Sequence, residues 1–395
     1  MPLNYTIITD RSGAVGLASR LQLLSSDMLV AVDTEFIRVK EYYPKLALLQ
    51  LNLAGDIFIV DPLSAPLDTL LPSLLATKAQ FLIFSGDEDL QILVQEARRY
   101  QPTAQAPLHY CDLQVLEAFS GKGYGRGLAN MVKEWCGIEL SKDETLSDWL
   151  QRPLSLEQLH YAALDVAFLP ELYAKLRASV SDSNFALFVR EMAERCALLL
   201  TPPVAELAYR SVGGAGLLSV PELQLLQFIC AKRLNLAQAQ DEALNRIITG
   251  KALCEICRRR PQNPQQLAAC GMKWGAIRDH GSQVLTWVAA GASLKITPLP
   301  LPFDAFAHLR ELQDDFRRLR HRLEQVAKAA HIAPQLMGGR KAVYDFYLAF
   351  FEGRPSWLES TWRHSLIGPL PTLDFSTLKK PTALIAAALE RRRQG

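Results

Sequence analysis

Apolar and polar positions change their period halfway along the chain. In the first half, Leu29–Phe36, Leu46–Leu53, Ile57–Asp61 and Gln80–Ser85 are short, apolar, β-prone runs, the signature of strands. The first three follow one another closely and predict an antiparallel meander. Helical spacing then takes over and predicts helices at Asp87–Arg99, Asp112–Phe119, Leu128–Cys136 and Leu156–Leu176. Strands first, then strand and helix in alternation, predict an α/β domain on a mixed sheet. Beyond Thr201-Pro202-Pro203 the pattern is helical throughout. Glu222–Asn235, Gln240–Thr249, Lys251–Arg259, Asn263–Ala269 and Trp274–Ala290 are helix-sized segments broken by Gly or Pro. Thr297-Pro298-Leu299-Pro300-Leu301-Pro302 predicts a stiff, extended linker. A long amphipathic helix from about Phe303 to His331 opens another bundle, and the tail from Lys379 ends in Arg391-Arg392-Arg393.

Composition adds little until charge is divided by position. A chain of 395 residues, 49% hydrophobic and 21% charged, reads as globular and long enough for two or three domains. No apolar run is long enough to span a bilayer. The opening MPLNYTIITDRSG lacks the basic and apolar regions of a secretory signal. Seven cysteines without a paired framework suit a reducing compartment, so a cytoplasmic location is expected. The net charge of +2 conceals an asymmetry: residues 1–200 carry 17 Lys+Arg against 25 Asp+Glu, and residues 201–395 carry 26 against 16. The basic half points to a polyanionic partner. The acidic half suits phosphate chemistry only if some of its carboxylates hold metal ions.

Val30-Ala31-Val32-Asp33-Thr34-Glu35-Phe36 sets two acids on one face of an apolar strand. Like charges repel there and burial raises the cost, which a divalent cation between them removes; the alternative is a strand end with both acids in water. Tyr161 and Asp165 lie four apart, on one helix face, and Pro170 predicts a kink just beyond them. The segment FLIFSGDEDLQIL runs from a strand into a helix and places Asp87, Glu88 and Asp89 at the helix start. Acids are also favoured there by the helix dipole, so spacing alone does not choose among the three.

Together these segments resemble ribonuclease D, a member of the DEDD superfamily of 3′→5′ exonucleases. Asp33-Thr34-Glu35 resembles its first motif, Ser85-Gly86-Asp87-Glu88-Asp89-Leu90 its second, and Tyr161 with Asp165 its third. Connecting pieces also match: Tyr42-Tyr43-Pro44, Leu48-Leu49-Gln50-Leu51, Ser147-Asp148-Trp149 and Arg152-Pro153-Leu154. The pattern departs at Phe84, where many relatives are expected to carry His; that position bears on substrate contacts and is not itself a ligand. Leu223–Leu234, Pro264-Gln265-Gln266-Leu267 and Ile277-Arg278-Asp279-His280-Gly281 resemble the helicase-and-RNase-D C-terminal (HRDC) fold.

The resemblance implies a mixed-sheet, ribonuclease H-like exonuclease domain over residues 1–203. An HRDC domain over 214–293 would follow, then a divergent second one over 301–375 and a helical tail over 376–395. It implies that Asp33, Glu35, Asp89 and Asp165 hold two Mg²⁺ or Mn²⁺ ions, and that Tyr161 aligns the attacking water. A phenol ionises near pH ~10, which favours alignment over base catalysis. RNA is the expected partner, tRNA precursors the expected substrate, with no membrane and no organic cofactor. The alternatives are a DNA 3′→5′ exonuclease and a non-catalytic RNA-binding protein. Candidate substrate contacts are Lys122 and Arg126 in the glycine-rich loop 121–127, Lys142, and the run Arg258-Arg259-Arg260. The loop is no P-loop, because it lacks the closing Gly-Lys-Ser/Thr. Trp149 is a further candidate contact, for which core packing is the favoured reading. Cys254 and Cys257 form a lone Cys-x-x-Cys inside a helical pattern and are read as packing too.

Overall fold

The computed structural model describes residues 3–140, 147–291, 294, 301 and 312–370. The predicted linker, apart from Leu301, the start of the helix expected at Phe303 and the arginine-ended tail lie outside the described residues. The chain divides into two compact units. The first holds the chain up to Arg38, Pro44–Thr201 and Ala327–Leu336; the second holds Val39–Tyr43, Pro202–Val326 and the chain from Met337 on.

The first unit is built on a six-stranded sheet: β1 (Tyr5–Ile8), β2 (Leu29–Ile37), β3 (Lys45–Leu53), β4 (Asp56–Val60), β5 (Gln80–Ile83) and β6 (Tyr110–Asp112), in the order β1-β4-β3-β2-β5-β6. β2, β3 and β4 form the predicted antiparallel meander, while β1, β5 and β6 each join in parallel. β3 is buried from Leu46 to Leu53, as a strand covered on both faces must be. The helices are α1 (Arg11–Gln22), α2 (Leu70–Leu75), α3 (Asp87–Arg98), α4 (Leu113–Ala118), α5 (Leu128–Cys136), α6 (Leu156–Ala167), α7 (Leu169–Ser179) and α8 (Asp182–Leu200).

Side chains start several of these helices. Asp10 accepts from Gly13 N, Ser181 from Asn184 N, and Ser155 forms a reciprocal capping box with Gln158, satisfying donors that the first turn leaves open. The single helix expected over Leu156–Leu176 is two. Pro170 lacks the N–H that a continuous helix needs, so α6 stops at Ala167 and α7 restarts with the proline in its first turn.

The second unit contains α9 (Val220–Gln240), α10 (Leu244–Ile247), α11 (Gly250–Arg259), α12 (Pro264–Ala269) and α13 (Trp274–Gly291). Leu226, Ile229, Leu253, Ile256, Leu267 and Val284 meet in one apolar core. The helix expected over Gln240–Thr249 shrinks to α10, because Asp241 turns left-handed at φ 49° and ends α9. The remaining helices among the described residues are α14 (Gln313–Ala329), α15 (Gly339–Glu352), α16 (Trp357–Ser360) and α17 (Arg363–Ile367). Cys254 and Cys257 are both buried in the helical core. No helix among the described residues is long and apolar enough to cross a membrane.

One turn of the first unit is packed too tightly to accept a side chain. A Cβ at Gly86, between β5 and α3, would meet the Ile83 side chain well inside van der Waals contact. Gly86→Ala is expected to destabilise the protein by about 1–3 kcal/mol, the usual cost of overpacking. Urea unfolding at pH 7 measures it; a change below about 0.5 kcal/mol would mean that the turn yields freely.

Candidate metal centre

β2 carries Asp33 and Glu35 on one face, and α6 carries Asp165 near its C-terminal end. Each offers a carboxylate oxygen, and these three atoms all lie within 4.8 Å of one another. The three residues come from two elements far apart in sequence, so packing of α6 against β2 creates the cluster. Asn52 fixes that packing: its buried amide donates to the carbonyls of Val166 (3.1 Å) and Ala167 (3.2 Å) and accepts from Gly55 N (2.9 Å).

The three acids at the start of α3 have different fates. Asp87 receives a two-pronged ion pair from Arg195 of α8, at 2.8 and 3.1 Å. Glu88 pairs with Arg38 at 3.0 Å. Asp89 is buried and accepts a hydrogen bond from Thr34 Oγ1, the residue between the two acids of β2. The turn before α3 is held by Asp112, whose buried carboxylate accepts from Ser85 N (3.0 Å) and Gly86 N (3.1 Å). It also caps α4 through Gln114 N (2.9 Å). Tyr110 donates its hydroxyl to the Gly86 carbonyl at 3.0 Å. Ser85 sits at φ 54°, a left-handed conformation that these bonds maintain.

Electrostatics set this group apart. Burial pushes the Asp33 carboxyl well above the usual carboxylate range, and the charges of Asp165, Asp89 and Glu35 push it further. Burial, then Asp165 and Asp89, lift Glu35 to about 8. Burial and Asp89 lift Asp165 to about 7. Burial lifts Asp89 to about 6 against the Thr34 hydrogen bond, which lowers it. Each proton retained here marks a negative charge without a countercharge. Carboxylate oxygens, with no thiolate or imidazole among them, fit a hard dication such as Mg²⁺ or Mn²⁺. Among the described residues, Asp33, Glu35 and Asp165 are the group able to offer three ligands to an ion.

Tyr161 lies one turn before Asp165 on α6, half-buried, with its ring centroid 6.1 Å from that of Trp149. Trp149 is itself buried, and its loop is pinned by Arg152, which bonds Asp61 (2.8 and 2.9 Å) and the carbonyls of Trp149 and Ala47 (both 2.8 Å). Arg126 is committed elsewhere: its guanidinium bonds the fully buried Glu117 (Nε to Oε2, 3.0 Å) and also Glu134. Lys122 Nζ lies 3.8 Å above the Trp135 ring and 3.9 Å from Glu134. Arg258 and Arg259 both pair with Glu255, at 2.7 and 3.0 Å, and Arg260 ends α11 with an exposed side chain. Lys142 lies outside the described residues.

The sequence alone assigns no role at the site to Thr34, Asn52, Asp112 or Arg195. A signal existed for one of them: Gln50 and Asn52 interrupt the otherwise apolar strand Lys45–Leu53 two residues apart. Arg195 gave none, since a lone arginine on a long helix looks like surface.

A family model described as 3′-5′ exonuclease matches residues 5–181, and an HRDC domain model matches residues 222–288. The chain is similar to Ribonuclease D of Musicola paradisiaca, 30% identical over 93% of this chain and 97% of that protein. It is similar to Ribonuclease D of Escherichia coli, 29% identical over 92% and 96%. The crystal structure of Escherichia coli RNase D, described as an exoribonuclease involved in structured RNA processing, superposes with a TM-score of 0.80 at 26% identity, over 98% of this chain and 99% of that one.

The raised carboxyls set the pH behaviour of the metal-free protein. Their folded-state pKa values lie above the unfolded values near ~4, so the folded state holds more protons between about pH 4 and pH 8. Their contribution to stability is therefore complete below about pH 4 and is lost as pH rises through that window. Urea unfolding in EDTA should show this decline, Mg²⁺ or Mn²⁺ should flatten it, and calorimetry in two buffers should detect protons released on metal binding below about pH 8. A flat profile in EDTA would show that the acids do not crowd one another.

Proposed function

The chain belongs to the ribonuclease D family of 3′→5′ exoribonucleases, and on that premise we propose that it shortens RNA from the 3′ end by two-metal-ion hydrolysis. The product is a nucleoside 5′-monophosphate, and the substrates are the 3′-extended precursors of tRNA. The observation that carries this reading is the convergence of Asp33, Glu35 and Asp165 within 4.8 Å, beside Asp89.

In this reading Asp33, Glu35, Asp89 and Asp165 hold two divalent cations, Mg²⁺ or Mn²⁺. Bound there, such ions lower the pKa of a water and stabilise the leaving 3′ oxygen. The protein's own part is orientation. Tyr161 hydrogen-bonds the attacking water and fixes its line of approach, and Trp149 restrains the ring that does so. Thr34 steadies Asp89, and Asn52 steadies the end of α6 that bears Asp165. The basic second half, with exposed Arg258, Arg259 and Arg260, grips the RNA backbone by displacing condensed counterions. Seven unpaired cysteines suit work in the cytoplasm.

The direct test is to incubate the protein with 3′-extended tRNA and with single-stranded DNA, in Mg²⁺, in Mn²⁺ and in EDTA. Mononucleotide 5′-phosphates from the RNA, and none in EDTA, are expected. Faster release from DNA would reassign the substrate, and binding without release would leave an RNA-binding protein. Asp33→Asn, Asp89→Asn and Asp165→Asn should each lower kcat by on the order of 10³-fold, since each helps hold a charge worth several kcal/mol. Glu88→Gln breaks only an exposed pair and should stay within about fivefold of the parent. An Asn variant that turns over normally removes that acid from the site. Tyr161→Phe should lower kcat on the order of 10²-fold with the metal Kd unchanged. Equal rates for Tyr161→Phe and the parent across the pH range would reduce the phenol to packing.

A further inference from the structure

Gln50 stands in the middle of β3, and the solvent reaches none of it. Neither its Oε1 nor its Nε2 has a hydrogen-bond partner among the described residues. A buried amide with both ends unmet costs free energy that a leucine at the same place would not. Its polar companion on the strand, Asn52, has every reason to be polar, since it ties Val166, Ala167 and Gly55 together. Gln50 has no such structural duty.

Its position supplies one. In the β2–β3 ladder Gln50 is the direct partner of Asp33, and on its other side it faces Ile59 of β4. Directly opposed residues of an antiparallel pair put their side chains on the same face, with Cβ atoms ~4.5–5.5 Å apart. That face also carries Glu35 and Asn52, and the bonds from Asn52 to Val166 and Ala167 show that α6 covers it. The amide of Gln50 therefore lies in the layer between sheet and α6, next to Asp33 and under the helix that bears Asp165.

A carboxylate that gives one oxygen to a cation needs its second oxygen held, or it rotates out of place. A neutral amide is suited to that task beside a dication. It donates an N–H without adding a positive charge that would compete with the ion, as lysine or arginine would. We propose that Gln50 is a positioning residue of the metal centre: with a cation on Asp33, its Nε2 would turn to donate to the second oxygen of the Asp33 carboxylate, a bond the structure does not hold, and fix the orientation in which Asp33 holds the cation. This rests on the reading of Asp33 as a metal ligand.

Gln50→Met keeps the length of the side chain and removes its polar atoms; Gln50→Leu is the second variant. The probe is Mn²⁺ alone, followed by electron paramagnetic resonance of the free ion, with thermal unfolding in EDTA as the second readout. The expected result is a Mn²⁺ Kd weaker by about 10-fold or more, as for lost outer contacts to metal ligands. The Tm in EDTA should equal or exceed that of the parent, because two unmet polar groups are gone. For RNA cleavage, kcat should fall while KM holds. An unchanged Mn²⁺ Kd overturns the proposal. So does a lowered Tm in EDTA in both variants, which would show that the amide serves the metal-free fold through a buried water. Should the parent protein itself bind no Mn²⁺, the reading of the carboxylate cluster fails first.

Discussion

Mutual repulsion among carboxylates is the constraint around which the first unit is organised. Asp33, Glu35 and Asp165 share a space only 4.8 Å across, with Asp89 close enough to raise the proton affinity of all three. Left to themselves, such side chains would turn away toward water. They are kept in place by the backbone elements that carry them, each tied down by polar contacts. Asn52 anchors α6, Asp112 and Tyr110 lock the turn before α3, and Arg195 clamps the first residue of α3. Buried polar side chains spent on the scaffold thus maintain an arrangement that the charges oppose, as preorganised sites require.

The strand meander was legible because β2, β3 and β4 are long, apolar and close in sequence. β1 and β6 escaped notice. β1 is four residues with an irregular burial pattern at a sheet edge, and β6 is three residues, too short to show any period. α8 is not evident in the sequence either, although it has nineteen residues: its apolar stripe of Phe188, Met192 and Cys196 is one residue wide, and the exposed Val189 and Leu198 blur it. The tight cluster of Asp33, Glu35 and Asp165 could be anticipated from spacing on one strand and one helix, combined with family resemblance. Asp89 needed the resemblance alone, since Asp87 and Glu88 beside it are equally acidic. What separates the three is tertiary: two meet arginines from distant segments, and one is buried beside Thr34.

The basic residues show the opposite balance. Sequence marks Arg126 as a cation in a glycine-rich loop, free to meet phosphate. Its surroundings spend that charge on Glu117, a carboxylate with no exposure, which also takes the indole N–H of Trp135 at 2.8 Å. Burying an anion requires a partner, and Arg126 is that partner. Charge counted along a chain overstates what is available to a ligand whenever a hidden acid lies nearby.

The Asn52 contact with the end of α6 has a kinetic side. Asp33 and Asp165 belong to segments separated by most of the first unit's chain, so neither β2 nor α6 alone can present the cluster. A cation that requires both has nothing to bind in the unfolded chain or in a partly assembled one. Its binding energy is then added only to the completed unit, by about 2.7 kcal/mol at a hundredfold excess over Kd. Local fraying that leaves the Asn52 tie intact would go unaffected, whereas every opening that lifts α6 from the sheet would become rarer in proportion to the metal present. The ambient divalent cation would thereby govern how long a chain survives proteases, quite apart from how fast it works.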